Sequence, residues 1–301
     1  MARKPQRQSS SPASAKAPEG MEAIESVNVV MAASAADVIA RFQEVNADPQ
    51  WRRVEALPEM REGVPIAIVG GGPSLSRTWR ELHGFKRTMV CGSAHDYLVG
   101  LGIEPTWAVI SDPDPIMAWY LRKSSPKTRY LVASHCAPEV FAMLEDRDVA
   151  IWNCGDTAID SEKWKGQGFV FGGGCTVLSR AIFIAGCFGF WEMHFYGCDT
   201  SVEEGGQHHA YDFLTKEEEA TVNDSVPVTL REGGEVFQVP RYLLGQIVDL
   251  KSMIAGNARR IRVRVHGGGL FGAMMDEAAR QAGAARAVSE RLKQEGTSEK
   301  E

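Results

Sequence analysis

The sequence is poor in the signatures that most readily betray a chemistry. Its six cysteines, Cys91, Cys136, Cys154, Cys175, Cys187 and Cys198, form no CxxC pair and no zinc-type spacing, so neither a cysteine-built metal site nor a disulfide framework is expected. Most of them stand in or beside apolar runs, where a thiol behaves as a small hydrophobe; reduced, structural cysteines and a cytoplasmic location follow as expectations. The longest apolar stretch, Val177 to Trp191, is broken by Ser179, Arg180, Gly186 and Gly189 and is too short to cross a bilayer. The first residues are basic and rich in Ser, Pro and Ala without an apolar core, unlike a secretory signal. A formal net charge of -6, with acids and bases interspersed, gives no electrostatic reason to bind nucleic acid or an anionic membrane. A small-molecule ligand is the expected partner.

What is present is an alternation. Short β-like runs occur at Ile66–Val69, Thr88–Cys91, Trp107–Ile110, Tyr130–Ala133, Val149–Trp152, Met193–Tyr196 and Ile261–Val265. Helix-like stretches lie between them, at Leu75–His83, Ala94–Leu101, Ile116–Arg122, Pro138–Leu144 and Thr176–Phe188. Strand–helix–strand alternation predicts a Rossmann-like, doubly wound α/β fold, a mostly parallel sheet with helices on both faces. Ligands of such sheets lie beyond the carboxyl ends of the strands. Residues 1–20 read as a disordered tail and 21–63 as an N-terminal helical segment. That segment contains the capped pattern SAADVIARFQEV at 34–45. Residues 64–272 form the expected catalytic domain. Within it, 201–240 is rich in Glu, Gly and Asp and reads as a lid or insertion. Arg241–Ala255 is helix-like again. Residues 273–301 read as a C-terminal helix, centred on Asp276–Lys293, and a tail.

Three stretches carry the candidate chemistry. In IAIVGGGPSLS, residues 66–76, a strand ends in Gly70, Gly71 and Gly72, and Pro73 opens a helix-like segment. Glycines permit positive φ and close approach, and amides at a helix start favour an anion. Gly70, Gly71, Gly72 and Ser74 are therefore candidate nucleotide contacts, although this run fits neither the Walker A nor the GxGxxG pattern. In CGSAHDYLVGLGIEPTWAVISDPDP, residues 91–115, Gly92, Ser93 and Ser111 stand at strand ends, and Asp112 and Asp114 follow in a proline-stiffened turn. The two carboxylates suit Mg2+ shared with substrate phosphates, a ribose or base contact, or plain turn capping. In FGGGCTVLSRAIFIAGCFGFWEMHFYGCDTS, residues 171–201, Gly172, Gly173, Gly174 and Thr176 repeat the glycine logic, and Asp199 stands past a strand end. His208 and His209 follow in EEGGQHHAYDF; with nearby carboxylates they are candidate general bases, though adjacency denies them helical metal-ligand spacing.

These motifs, VGGGPSL, GIEPTWAVISDPDP, GGGCTV and YGCD with a following Gly/His/Ala/Tyr loop, resemble in order those of the MptE-like family. The likeness spans roughly residues 64–270. Its best-described enzymes are 6-hydroxymethylpterin diphosphokinases, and members occur in phage genomes. Residues 92–115 are similar to the region of thiamin pyrophosphokinases in which a Gly-Ile-x-Pro-Asp turn precedes an acidic metal motif. Here Thr106 stands where Asp is usual, and the motif reads Ser-Asp-Pro-Asp-Pro. GGGPSL and YGCDTSVEEGGQHHAYDF are similar to bacterial sialyltransferases and Maf flagellin-modifying transferases, which implies a CMP-activated sugar donor. No His lies between His209 and His266, so the sialyltransferases' later base has no counterpart there. The resemblance implies a transferase with a nucleotide-activated donor: Mg2+ and ATP for diphosphate transfer to a hydroxymethyl acceptor, or a nucleotide sugar for glycosyl transfer. A non-catalytic nucleotide-binding or structural protein is the remaining alternative. Asp112, Asp114, Asp199, His208 and His209 are the implied catalytic set, with Asp112 and Asp114 on the metal.

Overall fold

The computed structural model describes residues 33–54, 64–154, 170–171, 174–212, 216, 224–257 and 261–298. Its strands are β1 (Arg52–Arg53), β2 (Pro65–Val69), β3 (Thr88–Cys91), β4 (Trp107–Ile110), β5 (Arg129–Ala133), β6 (Asp148–Cys154), β7 (Val170–Phe171), β8 (Glu192–Tyr196), β9 (Ser225–Thr229), β10 (Val236–Pro240) and β11 (Arg262–His266). The α-helices are α1 (Ala35–Ala47), α2 (Leu75–Thr78), α3 (His95–Gly100), α4 (Pro138–Met143), α5 (Val177–Cys187), α6 (Leu244–Asn257) and α7 (Gly269–Ser298).

Eight strands lie in the order β1-β6-β5-β4-β3-β2-β8-β11, β7 pairs β6 beside them, and every one of these pairings is parallel. The sequence dictates this. Ile66–Val69, Met89–Val90 and Ala108–Ile110 are uninterrupted apolar runs with no solvent exposure, as strands covered on both faces require. From β2 to β6 the chain steps in one direction across the sheet; after β6 it returns to lay β8 against the other side of β2. Right-handed crossovers then put the later helices on the opposite face. There α5 packs across β2, β3 and β4, while Phe188 and Phe190 close on Trp107 at ring distances of 5.6 and 5.8 Å. The protein is thus a doubly wound parallel α/β fold, and its topological switch point falls between β2 and β8.

Several elements differ from the sequence reading. The segment after the first glycines is one α-helical turn, Leu75–Thr78, followed by a 3-10 helix, Trp79–Gly84; Pro115–Leu121 is also a 3-10 helix. Residues 201–240 contain an antiparallel hairpin, β9 with β10. The N-terminal segment contributes β1 to the sheet beside β6. Helix α1 is capped by Ser34, whose hydroxyl accepts from the Asp37 N–H at 3.2 Å. It reaches the strand ends through Asn46 on Asn153 (3.0 Å) and Arg41 on the Pro113 carbonyl (2.9 Å). Cys91, Cys136, Cys154 and Cys198 are buried, whereas Cys175 and Cys187 are exposed; all are free thiols.

Candidate functional site at the topological switch point

The loops after β2, β3, β4, β8 and β11 all leave the same edge of the sheet, because the strands are parallel. At its centre the turn after β2 lies directly against the turn after β8. The Gly70 N–H donates to the Tyr196 carbonyl (2.9 Å), Gly72 N–H to the Gly197 carbonyl (2.7 Å), and Ser74 N–H to Asp199 Oδ2 (3.2 Å). This contact is what excludes side chains. A Cβ at Gly70 would stand 2.5 Å from the Gly197 oxygen; at Gly72 it would strike the Asp199 carboxylate and the Gly197 carbonyl; at Gly71 it would strike the Tyr211 ring. The close approach expected at these glycines is, in the structure, that of the protein's own chain. Three of the run's amides serve the protein itself, and a single helical turn supplies little dipole. The Gly71 N–H has no partner among the described residues.

Asp199 is the most constrained group of the rim. It is 3% exposed. Its Oδ2 accepts from the Ser74 hydroxyl at 2.9 Å as well as from the Ser74 N–H, while Oδ1 is buried with no hydrogen-bond partner. Burial pushes the carboxyl up to about 6, against the pull of the Ser74 bonds, so it titrates near neutrality, as a general base requires. Arg77, close enough to attract it, is itself paired with Glu203 at 2.5 Å.

The loop carrying the two histidines closes over this turn. The Ala210 N–H donates to the Gly71 carbonyl at 2.9 Å, and His209 Nδ1 lies 3.3 Å from the same oxygen. His208 Nδ1 lies 3.3 Å from His209 Nε2, and Tyr242 Oη lies 3.3 Å from His208 Nε2. Burial lowers His208 to about 3 and His209 to about 4, so both imidazoles are neutral at physiological pH. Tyr211 stacks on His209 with centroids 4.8 Å apart and brings its hydroxyl 2.6 Å from the Ser93 hydroxyl. Its ring also meets Tyr97 and Tyr120. Ser93 thereby joins the centre of the site, next to Gly92, whose φ of +35° starts the turn after β3.

Asp112 and Asp114 lie on the same edge but further along it. With strands ~4.8 Å apart, the end of β4 is about 14 Å from the end of β8. Asp112 Oδ1 accepts the Asp114 N–H, and Asp114 Oδ1 accepts the Ile116 N–H, each at 2.9 Å; Asp114 is the N-cap of the 3-10 helix at Pro115. The Ser111 carbonyl faces His135 Nε2 at 2.7 Å. Two carboxylates suffice for Mg2+ only when phosphate oxygens complete the shell. Among the described residues there is no group of three or more His, Cys, Asp or Glu arranged to hold a metal.

The second glycine run is built differently. Gly172 and Gly173 lie outside the described residues. Gly174 has φ +88°, and a Cβ there would strike Ser179. The Thr176 hydroxyl caps α5 through the Ser179 N–H at 3.4 Å and donates to Gln246 Oε1 at 2.6 Å; Asp249 accepts the Cys175 N–H at 2.7 Å. Side chains of α6 thus engage the Thr176 hydroxyl and the Cys175 N–H at the start of α5.

Two features have no role in the sequence reading. One is Tyr211, which stands in EEGGQHHAYDF two residues after the histidine pair. The other is a third glycine-rich turn, Gly267-Gly268-Gly269-Leu270-Phe271-Gly272, which follows β11 and opens α7. It carries GxGxxG spacing in a strand-to-helix setting, yet its glycines admit protein. A Cβ at Gly267 would strike the Ser74 side chain, one at Gly269 would stand 2.5 Å from the Asp199 carbonyl oxygen, and Phe271 N–H donates to that oxygen at 3.2 Å. The start of α7 is capped by the Asp199 loop.

The fold is similar to that of a Maf glycosyltransferase from Magnetospirillum magneticum AMB-1, with a TM-score of 0.60 at 17% identity over 80% of this chain and 38% of that one. The chain therefore spans under two-fifths of that protein's length. A mammalian sialyltransferase (TM-score 0.40, 10% identity, 78% and 79% of the two chains) and a Campylobacter jejuni sialyltransferase in complex with cytidine-5'-monophosphate (0.39, 14%, 68% and 80%) are more distant. At these identities the likeness is one of fold. No curated protein matches the chain. The MptE-like family pattern, described as 6-hydroxymethylpterin diphosphokinase MptE-like, runs over residues 42–205, from within α1 through β2 to the Asp199 loop. It covers more than half of the 301 residues and most of the rim just described, and the chain belongs to that family.

Proposed function

We propose that the protein is a transferase whose nucleotide-activated donor lies over the switch point between β2 and β8. One observation carries this reading. A buried carboxylate with an unpartnered oxygen, Asp199, stands in that crevice beside a glycine turn and two neutral histidines. Open α/β sheets bind their ligands at such a point, and a strongly shifted carboxyl group there marks a reaction centre.

Family membership favours ATP as the donor and diphosphate transfer as the reaction. In this scheme Asp199 Oδ1 takes the proton of the acceptor hydroxyl, the hydroxyl oxygen forms a bond to the β-phosphorus, the bond from that phosphorus to the bridging oxygen breaks, and AMP departs. The Gly71 N–H is the donor offered to the phosphates, and the hydrogen-bonded hydroxyl pair of Ser93 and Tyr211 stands beside it. Mg2+, held by Asp112 and Asp114 with phosphate oxygens, would supply charge neutralisation. The acceptor has a cleft of about 400 Å³ between Val202–Gly206 and the hairpin, lined also by Ser225, Val236 and Gln238, within the usual size for small ligands.

A second reading, transfer from a nucleotide sugar such as a CMP-sugar, is favoured by the likeness in fold to the Maf glycosyltransferase and needs no cation. The test is direct. Protein incubated with ATP, Mg2+ and 6-hydroxymethylpterin should release AMP, and EDTA should abolish the release. Metal-independent release of CMP from a CMP-sugar would replace the first reading by the second. A thermal-shift panel in which neither nucleotide raises stability would remove both, since ligand at a hundredfold its Kd contributes about 2.7 kcal/mol.

A further inference from the structure

Thr200, the residue after Asp199, has φ +58° and is the non-glycine residue with positive φ among those described. A β-branched side chain is strained there, and such strain persists only where its surroundings impose it. The chief restraint comes from α6. Gln246, 5% exposed, donates from Nε2 to Thr200 Oγ1 at 2.9 Å, while its Oε1 accepts from the Thr176 hydroxyl at 2.6 Å. With both ends of the amide engaged, its orientation is fixed. On the other flank the Ser201 hydroxyl donates to the Asp199 carbonyl at 3.4 Å and accepts the Leu270 N–H at 3.2 Å.

From this arrangement we infer that Gln246 is a positioning residue for Asp199: by holding Thr200 in the left-handed conformation it keeps the carboxyl group turned into the crevice, one oxygen on Ser74 and the other free for the acceptor. The inference rests on the reading of Asp199 as the base. Relaxation of Thr200 toward ordinary φ would rotate the peptide that follows Asp199 and draw the carboxylate away from Ser74 toward water. Gln246 touches no reacting atom, so its effect must appear in the behaviour of Asp199.

The readout is the titration of the Asp199 carboxyl carbon by 13C NMR, assigned by its loss in Asp199→Asn. Among the described residues, Glu203 and Arg77 are the charged side chains that act on Asp199, and the substitutions leave both in place. In the wild type the midpoint should lie near 6. In Gln246→Ala it should fall toward the ordinary 3.8, and the acid limb of the turnover profile should move with it. Adding Thr200→Gly should restore the midpoint, because glycine adopts positive φ without strain. Should Gln246→Ala not fold, Gln246→Met, which keeps the side-chain volume, adds no charge and loses the donor to Thr200, should give the same fall. An unchanged midpoint in either folded variant, or no restoration by glycine, overturns the positioning role while leaving Asp199 as the base. A wild-type midpoint already near 3.8 overturns both.

Discussion

At the scale of single residues, the glycines of the rim answer to protein more than to ligand. Gly72 faces a carboxylate and a backbone oxygen, neither of which can retreat without breaking the contact between the β2 and β8 turns. Gly71 faces the far end of a tyrosine side chain, which can swing aside. Gly72→Ala should therefore destabilise by about 1–3 kcal/mol, the usual cost of overpacking. Gly71→Ala should cost under about 1 kcal/mol and act by displacing Tyr211. Urea denaturation of the two variants checks this, and equal losses would contradict it. The triple glycine was legible as a place of close approach, but the approaching group was not. Gly197, Asp199 and Tyr211 come from more than a hundred residues away, and no local pattern records that distance.

At the scale of elements, the central strands β2 to β6 and β8 were legible to within two residues, because parallel strands buried on both faces are written as short β-branched or apolar runs ending in glycine or polar residues, whereas the two-residue strands β1 and β7 carry no such run. The hairpin was hidden because Ser225–Thr229 and Val236–Pro240 are half exposed and lie among Glu and Gly. The turn at Asp112–Asp114 was legible as a turn. The cap seen there and the metal ligation proposed for it are separable by chemistry. Asparagine caps as well as aspartate, whereas alanine costs about 1 kcal/mol. Asp114→Asn should leave the denaturation midpoint unchanged and Asp114→Ala should lower it. If Mg2+ is held there, Asp114→Asn should also raise the Mg2+ concentration for half-maximal AMP release. An unmoved Mg2+ requirement would leave the carboxylate with the cap alone.

At the scale of the whole molecule, the rim makes stability depend on pH in two opposing ways. His208 and His209 titrate at about 3 and 4 in the folded protein against 6.5 when exposed. Their contribution is full above 6.5 and is lost as pH falls toward 4, where the unfolded chain binds protons that the fold refuses. Asp199, raised to about 6 from 3.8, acts in the opposite sense and gains stability as pH falls through that window. Two groups outweigh one, so the urea midpoint should fall between pH 6.5 and 4. A double His208→Asn, His209→Asn variant should flatten that fall and Asp199→Asn should steepen it. A flat wild-type profile would mean that the histidines are hydrated and that the loop does not close on Gly71.

The central claim is that a nucleotide occupies the crevice between the ends of β2 and β8. Crystals soaked in millimolar ATP with Mg2+, and in millimolar CMP, test it most directly. The account predicts nucleotide density within hydrogen-bond distance of the Gly71 amide and Ser93 and a short reach from Asp199 Oδ1. A nucleotide bound on another face of the sheet, with this crevice still closed by Tyr211, would contradict it.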